Sequence, residues 1–300
     1  MKLRMPDDHD LGLQHDLQTL ARRTLERRRV MRWLTMGGAA LAVAACGGGG
    51  SGEQSTTTAP TTGTGSTGSG GSSGGSSSSG SCAAVASETE GPYPSDGSNT
   101  VNGQASNVLT ESGVVRSDIR SSFGISSNVA PGVPLELTLT LLNSNTVCSP
   151  LVGYAVYLWH CTRDGNYSLY SPSVQSENFL RGVQVTDANG QVTFTTIFPG
   201  CYSGRYPHIH FEVYPSLGMA TLYTNKVHTS QLALPRDICA AVYASATGYS
   251  ASVGNLDRVT IASDNVFGDD SSAQIAAMTP SVTGTIEDGY IGEATVGIPA

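Results

Sequence analysis

Leu135, Leu137, Leu139 and Leu141 alternate with Glu136, Thr138 and Thr140. A period of two commits this stretch to a strand with one buried and one wetted face. Val192 and Phe194 alternate with Thr193 and Thr195 in the same way, and Ala155-Val156-Tyr157-Leu158-Trp159-His160 reads as another strand. Asp187-Ala188-Asn189-Gly190, flanked by Val183, Val185, Val192 and Phe194, predicts a hairpin. Gly, Pro, Asn and Asp break the chain too often for long helices, and only 236–244 and 272–278 read as short helices or irregular loops. The expectation is an all-β chain: a single β-sandwich domain with long loops over residues 82–300, long enough for one well-buried core.

The first 81 residues read differently. Arg27-Arg28-Arg29-Val30-Met31-Arg32 resembles a twin-arginine export signal. The apolar run from Leu34 to Ala45 is too short to span a membrane. It ends in Val43-Ala44-Ala45-Cys46, which resembles a lipobox with Cys46 as the lipidated first residue of the mature chain. A plain signal peptide with an incidental cysteine is the alternative. The small residues before Cys46 and the tether after it favour the lipoprotein. Residues 1–45 are therefore expected to be a signal peptide. Residues 46–81, almost entirely Gly, Ser and Thr, are expected to be a disordered linker with a reach of roughly 30–35 Å. Such a chain would be exported and anchored to a membrane through a lipid at Cys46.

The net charge of the whole chain is −8, and the part from Cys46 onward holds eight basic against nineteen acidic residues. An acidic body argues against nucleic acid as a partner. Export makes disulfides expected among Cys82, Cys148, Cys161, Cys201 and Cys239, with the pairing open. A bridge from Cys201 would brace its neighbour Tyr202.

His208-Ile209-His210 follows closely on Pro199-Gly200-Cys201-Tyr202. In a strand, residues i and i+2 share a face, so both imidazoles can reach one metal ion. Imidazole suits zinc, copper, iron or nickel, whereas the phenolate that Tyr202 can add is a hard anionic donor suited to ferric iron. The bland reading is one solvent-facing and one core histidine.

The neighbouring motifs decide against that reading. Trp159-His160, Asp164-Gly165-Asn166-Tyr167-Ser168, Arg181-Gly182, Asn189-Gly190, Pro199-Gly200-Cys201-Tyr202 and Arg205-Tyr206-Pro207-His208-Ile209-His210-Phe211 stand in this order. The set resembles the intradiol ring-cleavage dioxygenases, such as catechol 1,2-dioxygenases and protocatechuate 3,4-dioxygenases, over residues 88–230. The resemblance implies a β-sandwich and non-haem Fe(III) held by Tyr167, Tyr202, His208 and His210. It implies that Tyr202 leaves the iron when substrate chelates, and that Arg205 stands beside the substrate and steadies developing negative charge. Glu90-Gly91-Pro92-Tyr93 resembles the element that walls the substrate pocket, through Pro92 and Tyr93. The implied substrates are a small aromatic diol and O2, and the implied product is a muconate-type diacid.

Two departures stand out. Relatives carry a long loop between the second tyrosine and the histidine pair, whereas only Ser203 to Pro207 intervene here, so a more open site is expected. Relatives also place a glutamine in a Leu-Thr-Thr-Gln strand. The matching stretch is Leu222-Tyr223-Thr224-Asn225, so Asn225 is expected to serve as the catalytic amide. Two other functions fit fewer residues: a non-catalytic surface sandwich that binds a ligand, and a zinc-dependent hydrolase using the His-x-His pair with Glu212 as base.

Overall fold

The computed structural model describes residues 82–124 and 126–300. The expected signal peptide and linker lie outside the described residues. The strands are β1 (Asp96–Val101), β2 (Gln104–Asn107), β3 (Pro134–Asn143), β4 (Ser149–Pro150), β5 (Ala155–Trp159), β6 (Arg181–Val185), β7 (Gln191–Ile197), β8 (His208–Tyr214), β9 (His228–Ala233), β10 (Ser281–Thr285) and β11 (Gly289–Ile298). The helices are α1 (Arg236–Ser245), α2 (Ser250–Leu256) and α3 (Ser272–Met278). α1 and α3 fall where short helices were expected.

β1 and β2 form a hairpin, and the rest form two sheets. One runs β10-β11-β3-β4 with β7 also on β3, and the other runs β6-β5-β8-β9. The leucine strand β3 is the centre of the first sheet, antiparallel to β7 and parallel to β11. Its four alternating leucines are buried and meet Val156, Leu158, Ile209, Phe211, Val213 and Leu232 of the second sheet. That contact is the sandwich core, as the alternation requires.

The second sheet is covered on its outer face too. Ala155, Tyr157, Trp159, Val183 and Tyr214 pack there with Val108, Leu109 and Val114 of the amino-terminal arm. Every residue of β8 is consequently buried. The outer face of β8 is thus a dry surface, and it is where the histidines lie.

The hairpin expected around Asp187–Gly190 does not form. The turn itself closes, with the Asp187 carboxylate accepting from the Asn189 and Gln191 amides at 2.8 and 2.9 Å. Its flanking strands part, however, because β6 pairs with β5 and β7 pairs with β3. Val183 belongs to the outer cluster while Val192 and Phe194 fill the inner core. The segment therefore crosses between sheets. Cys82 and Cys148 form a disulfide that ties the start of the domain to the β3–β4 connection, and Cys161, Cys201 and Cys239 are free and buried. A brace from Cys201 to Tyr202 is not built.

Candidate metal centre

Ile209, Phe211 and Val213 point into the core, so His208, His210, Glu212 and Tyr214 point outward from β8. Trp159 lies opposite His210 in the β5–β8 register and stacks flat on it, with ring centroids 4.8 Å apart. Tyr157 stacks on Trp159 in turn at 4.9 Å. These rings hold His210 to one orientation.

Tyr167 and Tyr202 reach the same place from two turns. After β5 the chain reverses at Asp164-Gly165, closed by the Thr162 amide donating to the Asn166 carbonyl at 2.7 Å. Gly165 has φ +83°, and a Cβ there would sit 3.0 Å from Cβ of Tyr202. Only glycine allows both the left-handed turn and that approach. Gly91 serves similarly: a side chain on it would press on the His210 ring at 3.2 Å. The next residues, Pro92 and Tyr93, run over the site, and the Tyr93 ring lies 4.8 Å from that of Tyr167.

The four side chains converge. His208 Nε2 lies 3.3 Å from Tyr167 Oη, 3.2 Å from Tyr202 Oη and 3.1 Å from His210 Nε2. His208 Nδ1 faces the Tyr206 carbonyl at 2.6 Å. A carbonyl only accepts, so Nδ1 carries the proton and Nε2 presents a bare lone pair. One lone pair cannot satisfy three polar neighbours with protons alone. Separations of this size are what donors about 2.0–2.2 Å from a shared ion subtend. Two phenols and two imidazoles in this arrangement fit a metal ion, and the hard oxygens favour a highly charged one.

Electrostatics agree. Burial pushes the Tyr202 phenol up to about 12, although the Arg205 charge pulls it back, and burial beside Tyr202 raises Tyr167 well above its ordinary value. Burial lowers His208 to about 3, assisted by Arg205, and lowers His210 well below the ordinary range, assisted by His208. A cation supplies the charge that the dry site otherwise denies to phenolates, and neutral imidazoles are the form that ligates.

Arg205 sits in the short turn beside Tyr202. Its Nε donates to Asp264 at 2.9 Å and its Nη2 donates to Gln231 at 2.7 Å. Gln231 is on β9 opposite His210, fully buried, and its own amide donates to the Thr89 carbonyl at 2.8 Å. Asn225 is not at the site. It lies half-buried in the turn Tyr223–Asn225, where its amide donates to the Met219 carbonyl. The amide beside Arg205 is Gln231, within Thr229-Ser230-Gln231, six residues beyond the stretch matched from sequence.

The expected openness is also corrected. Tyr167, His208, His210 and Arg205 are at most 3% exposed and Tyr202 is 9% exposed. The short turn is covered from behind by the carboxy-terminal segment. Ser252 Oγ accepts from the Cys201 amide, Asn255 donates to the Cys201 carbonyl, and Asp264 accepts from the Tyr206 amide. Glu212, the base a zinc hydrolase would need, is engaged by Tyr214 Oη at 2.6 Å and Lys226 Nζ at 2.7 Å.

A family model described as Dioxygenase matches residues 123–248, the span that carries both tyrosines, Arg205 and both histidines. A chlorocatechol 1,2-dioxygenase of Rhodococcus opacus is 30% identical over 117 residues, covering 33% of this chain and 45% of that enzyme. Over this span the chain is similar to the intradiol ring-cleavage dioxygenases. It spans less than half the length of that curated relative in the match. An intradiol ring-cleavage dioxygenase from Tetranychus urticae shares the fold, at 24% identity and a TM-score of 0.54, over 73% of this chain and 96% of that one. The site residues that sequence reading missed are Gln231 and Asp264; Trp159 stood in the motif set, but its stacking on His210 was not foreseen. Gln231 lies in β9, which is buried at every position but Thr229 and so carries no alternation that marks it. Asp264 follows the matched span and carries no local signal.

Proposed function

We propose that the protein is a non-haem ferric dioxygenase that cleaves catechol-type rings between two adjacent hydroxyls, giving muconate-type diacids. The observation that carries this reading is the convergence of two phenol oxygens and two imidazole nitrogens on one buried point. Tyr167, Tyr202, His208 and His210 would hold the iron. When bound, ferric iron supplies Lewis acidity toward both catechol oxygens and electron exchange between the catecholate and dioxygen.

The chain's own residues do the rest. Tyr202 is the most exposed of the four donors, and a phenol raised to about 12 gives a strongly basic phenolate. Its Oη is therefore the atom suited to take a proton from a catechol hydroxyl. Arg205 is permanently charged and fixed on two sides, so it stabilises negative charge growing on the ring without reorganising. Pro92 and Tyr93 offer a wall over the site, and burial of the surroundings excludes bulk water.

Purified protein is expected to show an intense visible band from ferric tyrosinate and to consume oxygen with catechol, giving an intradiol product. A colourless protein that binds zinc, or extradiol semialdehyde products, would sink the proposal. Tyr167→Phe, Tyr202→Phe, His208→Ala and His210→Ala should each lower iron content and turnover by more than the ~10–100-fold typical of outer-shell partners. Full iron and full turnover in any one of them would remove that residue from the ligand set. We further propose that residues 1–45 direct export and that Cys46 carries a lipid anchor, a reading supported by the arginine pair and the small residues before Cys46.

A further inference from the structure

Arg205 is a buried cation in a turn without regular structure, and a buried charge is costly unless its partner is well placed. Asp264 supplies that partner from 59 residues away in sequence. Its Oδ2 accepts from Arg205 Nε at 2.9 Å and from the Tyr206 amide at 2.6 Å. Its Oδ1 accepts from the amides of Val266 and Phe267 at 2.8 and 3.1 Å. Four donors therefore fix a carboxylate that is itself 2% exposed. The Phe267 ring completes the seat, with its centroid 5.9 Å from Cζ of Arg205 and its plane perpendicular to the Tyr206 ring.

With Gln231 holding Nη2, this clamp leaves the guanidinium no freedom about its own stem. The guanidinium is carried three residues after Tyr202, in a turn where the Arg205 amide donates to the Tyr202 carbonyl at 3.4 Å. Its exact placement therefore matters to chemistry as well as to folding. Asp264 lies beyond the span matched by the family model, residues 123–248. It is on the carboxy-terminal segment that covers the shortened Tyr202–His208 turn.

We propose that Asp264 is a positioning residue that holds Arg205 in its working orientation for ring cleavage. This rests on the function proposed above. It assigns a task to the segment around 260–267 that neither its helical turns nor its packing requires.

The test compares wild type, D264N, D264S, R205Q and R205Q/D264N, each loaded with iron and followed by the visible tyrosinate band and by steady-state oxygen uptake with catechol. D264N and D264S should keep the band and the iron content while kcat falls ~10–100-fold, the loss expected when one charge-assisted hydrogen bond is removed. KM for catechol should change by less than about threefold, because the loss falls on the transition state. R205Q/D264N should be no slower than R205Q within about twofold, since one residue acts through the other. Wild-type kcat in D264N at full iron loading would overturn the proposal. So would multiplying losses in the double variant. Failure of both Asp264 variants to give folded, iron-loaded protein where R205Q does so would assign Asp264 to the fold alone and overturn it as well. A wild-type protein with neither the band nor catechol cleavage would overturn the proposed function itself, and is read before any variant is compared.

Discussion

Gln231 and Asn225 are both amides within reach of the motif by sequence, yet the structure gives them opposite surroundings. Gln231 takes a hydrogen bond from a buried guanidinium, while Asn225 bonds a carbonyl on the surface. Replacing Gln231 by Leu leaves a buried charged donor unpaired, and one such bond is worth about 1.5–3 kcal/mol. Turnover per iron is therefore expected to fall by roughly ten- to a hundredfold in Q231L, whereas N225A should match wild type. Equal losses in both would show that the amide beside Arg205 has no part in the reaction. The two histidines were legible because their i, i+2 spacing in a strand fixes a shared face, and the two tyrosines only through the ordered motif set that resembles the family. The amide was not, because its position depends on how far the chain wanders between β8 and β9. The thirteen residues 215–227 between β8 and β9 include two 3-10 turns, and no local pattern sets where β9 begins.

At the scale of elements, the two sheets are bolted together by His160, which follows β5. Its Nδ1 donates to the Cys161 carbonyl at 2.8 Å, and its Nε2 accepts from the Thr196 hydroxyl of β7 at 2.7 Å. Burial lowers the imidazole to about 4, with the Cys161 carbonyl opposing the shift and the Arg181 charge adding to it. The unfolded chain takes up this proton near pH 6.5 but the folded chain only near pH 4. The stabilisation is therefore complete above pH 6.5 and is lost as pH falls toward 4, by about 3 kcal/mol. His228, also lowered to about 4 by burial, acts with the same sign. Chemical unfolding of H160Q should thus show a shallower loss of stability between pH 6.5 and 4 than wild type, with the share of His228 remaining. Parallel curves would mean that His160 is not held neutral. The strands themselves were readable from period two, and the failed hairpin shows where that reading stops. A turn sequence predicts reversal of the chain, not which sheet the next strand joins. β7 joined the other sheet because its alternating Val192 and Phe194 complete the leucine face of β3.

For the whole molecule, the described domain closes on itself at its amino-terminal end. Cys82 is bridged to Cys148, and the Val85 amide donates to the Gly297 carbonyl at 2.9 Å. A chain beginning at Cys82 keeps all of these contacts, so it should bind iron and turn over catechol per iron as the full chain does. On the proposed export reading residues 1–81 concern location, and the test of that reading uses the disulfide as a reporter. Cys161, Cys201 and Cys239 are buried in the folded domain, so apart from Cys46, told apart by peptide mapping, alkylation of native protein reads Cys82 and Cys148, and only where the bridge is absent. Bridges persist outside the reducing cytoplasm. The double substitution Arg27→Lys, Arg28→Lys should keep the protein in the cytoplasm, with Cys82 and Cys148 open to alkylation. Cys46→Ala should instead give an exported protein with both cysteines protected, recovered in the soluble fraction because the lipid is missing. Membrane association and protected cysteines in both variants would remove the support for the export and anchoring roles, while leaving the metal centre and its chemistry untouched.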